Sequence, residues 1–272
     1  MLGGRRVRNQ MPILPVPNRC IWCQRQAPDV SFNINHVLPE CVGNERQQIL
    51  PTGIVCEECN QYFGAKIEPA LLDDPFFHVI AVALSLVDPD DMNVFRARIF
   101  DATHPPVEPV NRALDVHALL KGQEVNLDVS YTIRGRISRQ YSPRNLAALS
   151  RAVHKIAFES LAWVLYVKGI ETPFDPFSAQ FHAVREWARK GRPRSSVRPV
   201  LRRMGEISHQ WEHRIRRFGQ ELGIELNLFG DWYGVNLTSP HSQALSNLQV
   251  WAGQEANGVW YIGNSLSILS NP

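Results

Sequence analysis

Between Asn18 and Lys66 the chain carries all five of its cysteines, four of them in pairs, and one closely framed histidine. Cys20-Ile-Trp-Cys23 and Cys56-Glu-Glu-Cys59 are two CxxC pairs. A CxxC sets two sulfurs on one tight turn, and two such turns complete a tetrahedral four-sulfur site of the kind that holds structural zinc. Redox-active thiols, the other common use of CxxC, need a strand–helix context that neither pair has. The pairs stand 32 residues apart, positions 24–55, against the roughly 15–20 of simple zinc ribbons. The insert must therefore hold structure of its own. It contains Asn35-His36-Val37-Leu38-Pro39 and then Gly43-Asn44, and the second pair runs into Asn60-Gln61-Tyr62-Phe63-Gly64. Histidine titrates near neutrality and can take a proton from water. Cys41 is left over and reads as a small buried apolar residue.

The composition sets the frame for this module. A chain of 272 residues with 44% hydrophobic content can bury a sizeable core in one or two domains. Its formal charge of +3 permits a polyanionic partner without demanding one. The longest apolar stretch, Phe76 to Val87, contains His78 and is too short to cross a bilayer, and Met1 to Asn18 has no apolar run resembling a secretion signal. No membrane association is expected. Cysteines used in pairs for metal fit a reducing compartment, so the cytoplasm is the expected location.

The order of these motifs carries a resemblance. CxxC, then Asn35-His36-Val37 with Pro39, then Gly43-Asn44, then CxxC-Asn60 with Phe63-Gly64 and Ile67-Glu68, resembles the HNH endonuclease family. It is most similar to the branch with a CxxC…NH…CxxCN zinc-stapled module. The resemblance is specific over about residues 19–68; fainter likeness to the tails of that branch lies in Arg151 to Phe158 and Val184-Arg185. It implies a β-hairpin followed by a helix, a ββα-metal unit. It further implies His36 as general base on a water attacking a phosphodiester, and Asn60 as a ligand, through its amide oxygen, to a catalytic divalent ion (Mg²⁺ or a first-row transition metal). That ion would offset charge on the phosphorane and on the leaving oxygen. The residue before the base supplies a ligand carboxylate in the family; here it is Asn35, a neutral oxygen and a weaker ligand for a hard cation. The family's middle Asn has no clear counterpart, Thr52 and Asn44 being the two candidates. A catalytically inactive, zinc-stapled DNA-binding module is therefore the alternative.

Other elements must position this unit. Residues 1–18, with three prolines and Arg5, Arg6 and Arg8, read as an extended basic arm. Asp73-Asp74-Pro75 restarts a helix by an N-cap with proline at N1, Asp88 to Asp91 is a turn, and His104-Pro105-Pro106 with Pro109 marks a candidate subdomain boundary near 104–110. Val125 to Ile137 alternates as a half-buried strand or hairpin, with Arg134, Arg136 and Arg139 near its end. Ser142-Pro143 opens a long helix with Leu146, Leu149, Val153, Ile156, Ser160 and Val164 on one stripe until Gly169; His154 and Lys155 flank the stripe and read as structural. A second helix spans Ser178 to Lys190 and stops at Gly191.

Arg192, Arg194, Arg198, Arg202 and Arg203 follow in what reads as a Pro- and Ser-containing loop, with Arg214, Arg216 and Arg217 soon after. Clustered arginine is the footprint of phosphate contact, so the first five are the expected nucleic-acid-binding residues and double-stranded DNA the expected partner. Protein partners are not indicated. Residues 204–218 fit either a helix or a strand; the family resemblance favours a strand at His213 to Phe218, pairing with Ile224 to Phe229 and Trp232 to Leu237. His209-Gln-Trp-Glu212-His213 spells H-x-x-E-H, an inverted zinc-peptidase motif that needs a helix to work; chance is the better account. The end, Gln249 to Leu269, reads as more strand. The expectation is an α+β protein: a basic arm at 1–18, an HNH-type module at 19–68 and a mixed accessory domain at 69–272. Its expected activity is metal-dependent hydrolysis of nucleic acid, with structural zinc on Cys20, Cys23, Cys56 and Cys59 and a catalytic metal on Asn35 and Asn60.

Overall fold

The computed structural model describes residues 14–39, 48–74, 77, 81, 143–170, 173–194, 196–204, 211–239, 259–262 and 266–269. Several expectations fall outside these: the arginines of the N-terminal arm, Cys41, Gly43-Asn44, most of Phe76 to Val87, the turn at 88–91, the loop at 104–109, the strand at 125–137 and His209.

The N-terminal module is a β-hairpin followed by a helix. β1 (Asn35–His36) pairs antiparallel with β2 (Ile49–Leu50), and α1 (Glu57–Lys66) follows. Cys56 is the N-cap residue of α1 and Cys59 lies in its first turn. Both sulfurs therefore sit at the positive end of the helix dipole, where a thiolate is favoured. On the other knuckle the backbone folds tightly: Gln24 N–H donates to Cys20 O at 2.9 Å, and Cys20 N–H to Arg25 O at 2.8 Å. Ile21 N–H reaches Ile54 O at 2.9 Å and ties the two knuckles together. Gly53, at φ +109°, has Val16 Cγ1 and Asn18 Oδ1 2.6 Å from where a Cβ would stand, so only glycine fits this approach. Leu14 and Val16, at the described end of the arm, pack on the core.

α2 (Pro69–Leu72) opens with proline at its first turn, and Phe77 N–H then donates to Asp74 Oδ1 at 2.9 Å, as at an N-cap. α3 (Pro143–Tyr166) is the long helix expected from Ser142-Pro143. The expected stripe, Leu146 to Val164, is buried, but the burial is wider than a stripe: every residue from Ala152 to Val164 is buried, His154, Lys155 and Glu159 completely. A helix enclosed on all faces is a central element with neighbours on every side. One neighbour is the hairpin module and another is the C-terminal sheet. A single apolar core runs from Cys20 to Leu237 through α3, with Trp22, Phe63, Phe158 and Phe181 in successive ring contact at 4.6, 5.0 and 5.2 Å between Trp22–Phe63, Trp22–Phe158 and Phe158–Phe181.

A 3₁₀ turn (Ala179–Phe181) leads into α4 (His182–Lys190), which ends as expected at Gly191, φ +62°. β3 (Val200–Met204), β4 (Trp211–Phe218), β5 (Glu221–Leu228), β6 (Asp231–Asn236), β7 (Val259–Ile262) and β8 (Leu266–Leu269) form one antiparallel sheet in the order β4-β5-β6-β3-β7-β8. The helix/strand ambiguity at 204–218 resolves to a strand over 211–218, paired with β5. His213 is thus on a strand, and the helix that an H-x-x-E-H zinc site requires is absent there. Residues 200–204, expected in a basic loop, are instead a strand inside the sheet. Among the described residues no helix is long and apolar enough to cross a membrane.

Candidate active site

The four sulfurs of Cys20, Cys23, Cys56 and Cys59 all lie within 4.8 Å of one another. A zinc ion with bonds of about 2.3 Å sets tetrahedral sulfur–sulfur edges near 3.8 Å; Cys23 Sγ and Cys56 Sγ stand 3.7 Å apart. All four are free thiols. Their mutual hydrogen bonds split their acidities. Cys20 lowers Cys23 strongly and brings Cys56 to about 7, whereas bonds from Cys20, Cys23 and Cys56 push Cys59 far up, and those from Cys23 and Cys56 push Cys20 up. Without a cation the cluster cannot carry four negative charges; with one, every thiol is a ligand. The donor set fits zinc.

Asn35 and His36 occupy β1, and strand alternation sends their side chains to opposite faces. Asn35 is buried and turned toward α3, while His36 is half-exposed. Asn60, three residues into α1, donates its Nδ2 to Ile34 O at 2.9 Å and to Asn33 Oδ1 at 3.1 Å. These bonds fasten α1 to Asn33 and Ile34, the residues that lead into Asn35 and His36. They use both amide hydrogens, and the atom Asn60 has left for a cation is Oδ1. Asn35 Nδ2 donates to Glu159 Oε2 at 2.8 Å, and its Oδ1 is buried without a hydrogen-bond partner. A buried orphan oxygen is what an amide ligand to a metal looks like before the ion binds. On that observation Asn35 Oδ1 fits a divalent cation. Thr52, one candidate for the middle Asn, is exposed on the turn after β2.

α3 supplies groups that local sequence reading did not connect to the site. Glu159 accepts from Trp22 Nε1 at 2.9 Å on one oxygen and from Asn35 at 2.8 Å on the other, so one carboxylate joins the first cysteine knuckle to β1. Lys155 Nζ contacts Glu68 Oε1 at 2.7 Å, Glu159 Oε2 at 2.8 Å, His36 O at 2.9 Å and Val37 O at 3.3 Å. Burial opposes its charge, but Glu159 and Glu68 outweigh burial and raise its pKa; burial raises that of Glu159. Arg151 donates to Tyr62 Oη at 2.6 Å and to the carbonyls of Ala188 and Arg189 at 3.0 and 2.8 Å, capping the C-terminal end of α4 against α1. The i, i+4 spacing of Lys155 and Glu159 was the available signal, on a helix that otherwise reads as apolar.

The five expected nucleic-acid-binding arginines divide. Arg192 and Arg194 are exposed and line a groove of about 710 Å³ with His182, Glu186, Trp187 and Pro193. Arg198 and Arg202 correct the expectation, because both are buried. Arg198 donates to Asn236 O at 2.7 Å and to His154 Nε2 at 3.2 Å, and burial lowers its pKa to about 10. Arg202 forms a two-pronged pair with Asp74, at 2.7 and 3.0 Å, and pairs with Asp231. Its guanidinium lies inside the protein, where no phosphate reaches it. Arg203 is half-buried, stacked 5.2 Å from the ring centre of Trp232, with Arg214 5.4 Å from the same ring.

No curated protein and no solved structure matches the chain significantly. Residues 20–76, which hold the four-cysteine centre, the Asn35-His36 hairpin and α1, match the model of the HNH endonuclease family.

Proposed function

We propose that the chain is a metal-dependent endonuclease that hydrolyses phosphodiester bonds in nucleic acid, with DNA as its substrate. The observation that carries this reading is the convergence of β1 and α1 beside the cysteine centre: Asn60 is bonded to the residues that lead into Asn35 and His36. His36 acts as the general base and takes the proton of the attacking water. Asn35 and Asn60 hold a divalent ion, Mg²⁺ or a first-row transition metal, through their amide oxygens. When bound, that ion offsets charge on the phosphorane and on the leaving 3′ oxygen. Zinc on Cys20, Cys23, Cys56 and Cys59 has a structural role: it holds Trp22 and α1 in register, and through them the floor of the site. Exposed Arg192 and Arg194 meet backbone phosphates.

A second reading, a zinc-stapled DNA-binding module without activity, is favoured by one observation: the proposed ligands Asn35 and Asn60 are both amides, with no carboxylate between them. Supercoiled plasmid incubated with zinc-loaded protein and Mg²⁺ or Mn²⁺ separates the two. Nicking or linearisation that is lost on chelation of the added metal supports the nuclease. DNA binding without cleavage in either metal supports the second reading.

A further inference from the structure

The family position before the base is acidic, and here it is Asn35; yet a carboxylate does stand behind it. Glu159 Oε2 is 2.8 Å from Asn35 Nδ2 and fully buried. A carboxylate is acceptor-only, so it admits the amide nitrogen and repels the amide oxygen. The orientation of Asn35 is therefore fixed, with Oδ1 on the side away from Glu159, where it has no partner. The charges around this contact do not cancel. Lys155 is paired with both Glu159 and Glu68, one cation against two carboxylates, which leaves one net negative charge beside β1. An aspartate at 35 would add a second buried carboxylate at hydrogen-bonding distance from Glu159, and like charges this close disfavour each other's ionisation. Asn35 and Glu159 are thus complementary choices: the chain keeps one acid at this contact and has moved it from β1 to α3.

We propose that Glu159 is a positioning residue of the candidate active site: from α3 it aims the Asn35 oxygen at a divalent cation and supplies the negative charge that an acidic residue at 35 would carry. Lys155 completes the device by holding the carbonyls of His36 and Val37, so that α3 fixes both the side chain and the backbone of β1. The proposal rests on Asn35 being a cation ligand. It makes the relation between positions 35 and 159 reciprocal.

The test is Mn²⁺ binding to full-length, zinc-loaded protein, followed by the spin-resonance signal of free Mn²⁺, with thermal unfolding of each protein in the absence of Mn²⁺. The variants are Glu159→Gln, Asn35→Asp and the exchange Asn35→Asp/Glu159→Gln. Glu159→Gln weakens Mn²⁺ binding by about 10–100-fold, the usual effect of losing a group that orients a metal ligand. Asn35→Asp alone lowers the melting temperature. The exchange, which restores one acid and one amide to the contact, recovers both the melting temperature and an affinity at least equal to wild type. Mn²⁺ affinity unchanged in Glu159→Gln, or a wild type that binds no Mn²⁺, overturns the proposal. So does an exchange variant no better than the sum of its parts; if Asn35→Asp does not fold, the other two variants decide. His36-dependent plasmid cleavage with an unchanged Glu159→Gln affinity would leave the nuclease reading standing and this one refuted. Reciprocal Mn²⁺ binding without cleavage would do the reverse.

Discussion

Replacing Cys59 by serine, or stripping the centre with a strong chelator, should unfold the N-terminal module rather than merely loosen it. The sulfurs converge within 4.8 Å, and the 3.7 Å separation of Cys23 and Cys56 matches a zinc tetrahedron. Structural zinc in such sites contributes about 10–16 kcal/mol of apparent binding free energy near neutral pH. A whole domain is stable by only about 5–15 kcal/mol. Losing the ion therefore exceeds what the remaining packing of Ile21, Trp22, Ile54 and Phe63 can offset, although these residues are buried. Elemental analysis should find about one zinc per wild-type chain, as a four-thiolate site requires, and essentially none in Cys59→Ser. Limited proteolysis should then cut the variant within 20–76, where zinc-loaded wild type is protected. Protein purified without zinc, whose melting is indifferent to chelator under reducing conditions, would rule out a structural zinc at these cysteines.

Three further outcomes follow from residues whose surroundings only the fold reveals. Arg202→Met should destabilise the protein by about 3–5 kcal/mol in denaturant titration, because it leaves Asp74 and Asp231 buried without their cation. Arg192→Ala/Arg194→Ala should leave stability unchanged and reduce the salt slope of DNA binding by about 2, at about 0.9 per phosphate contact; an unchanged slope would remove these arginines from the interface. His213 is pushed down to about 4 by burial and by Lys168. Between that value and its ordinary 6.5 the unfolded chain binds a proton that the folded chain does not, so this contribution to stability is present above pH 6.5 and lost toward pH 4. His213→Gln should therefore gain on wild type by up to about 3 kcal/mol as the pH falls through that window, at about 1.4 kcal/mol per unit. Parallel pH–stability curves for the two proteins would contradict this.

What the sequence disclosed was local. The CxxC pairs, the helix from Pro143 and the glycine stop at Gly191 are each written in a few neighbouring residues, and each is where it was expected; the strands around Ile224 and Trp232, which the family resemblance favoured, are there as well. What it concealed was set by partners far along the chain. Arg202 reads as a surface charge until Asp74, 128 residues away, is seen to meet it. Glu159 reads as an ordinary helix acid until Trp22 and Asn35, 137 and 124 residues away, converge on it. The short strand 200–204 was hidden by its own arginines, one of which points inward to carboxylates that no alternation rule anticipates. At the site itself, the resemblance named Asn35, His36 and Asn60, but only the fold brings α3 to their back.

As the proposed general base, His36 would activate water for phosphodiester cleavage. The most direct test of this role is plasmid cleavage by zinc-loaded His36→Ala beside wild type, with Mn²⁺ present and DNA affinity measured on the same preparations. The expected result is a loss of about 10²–10⁴-fold in cleavage rate, the usual share of a general base, with DNA affinity unchanged. Cleavage by His36→Ala at the wild-type rate would contradict it.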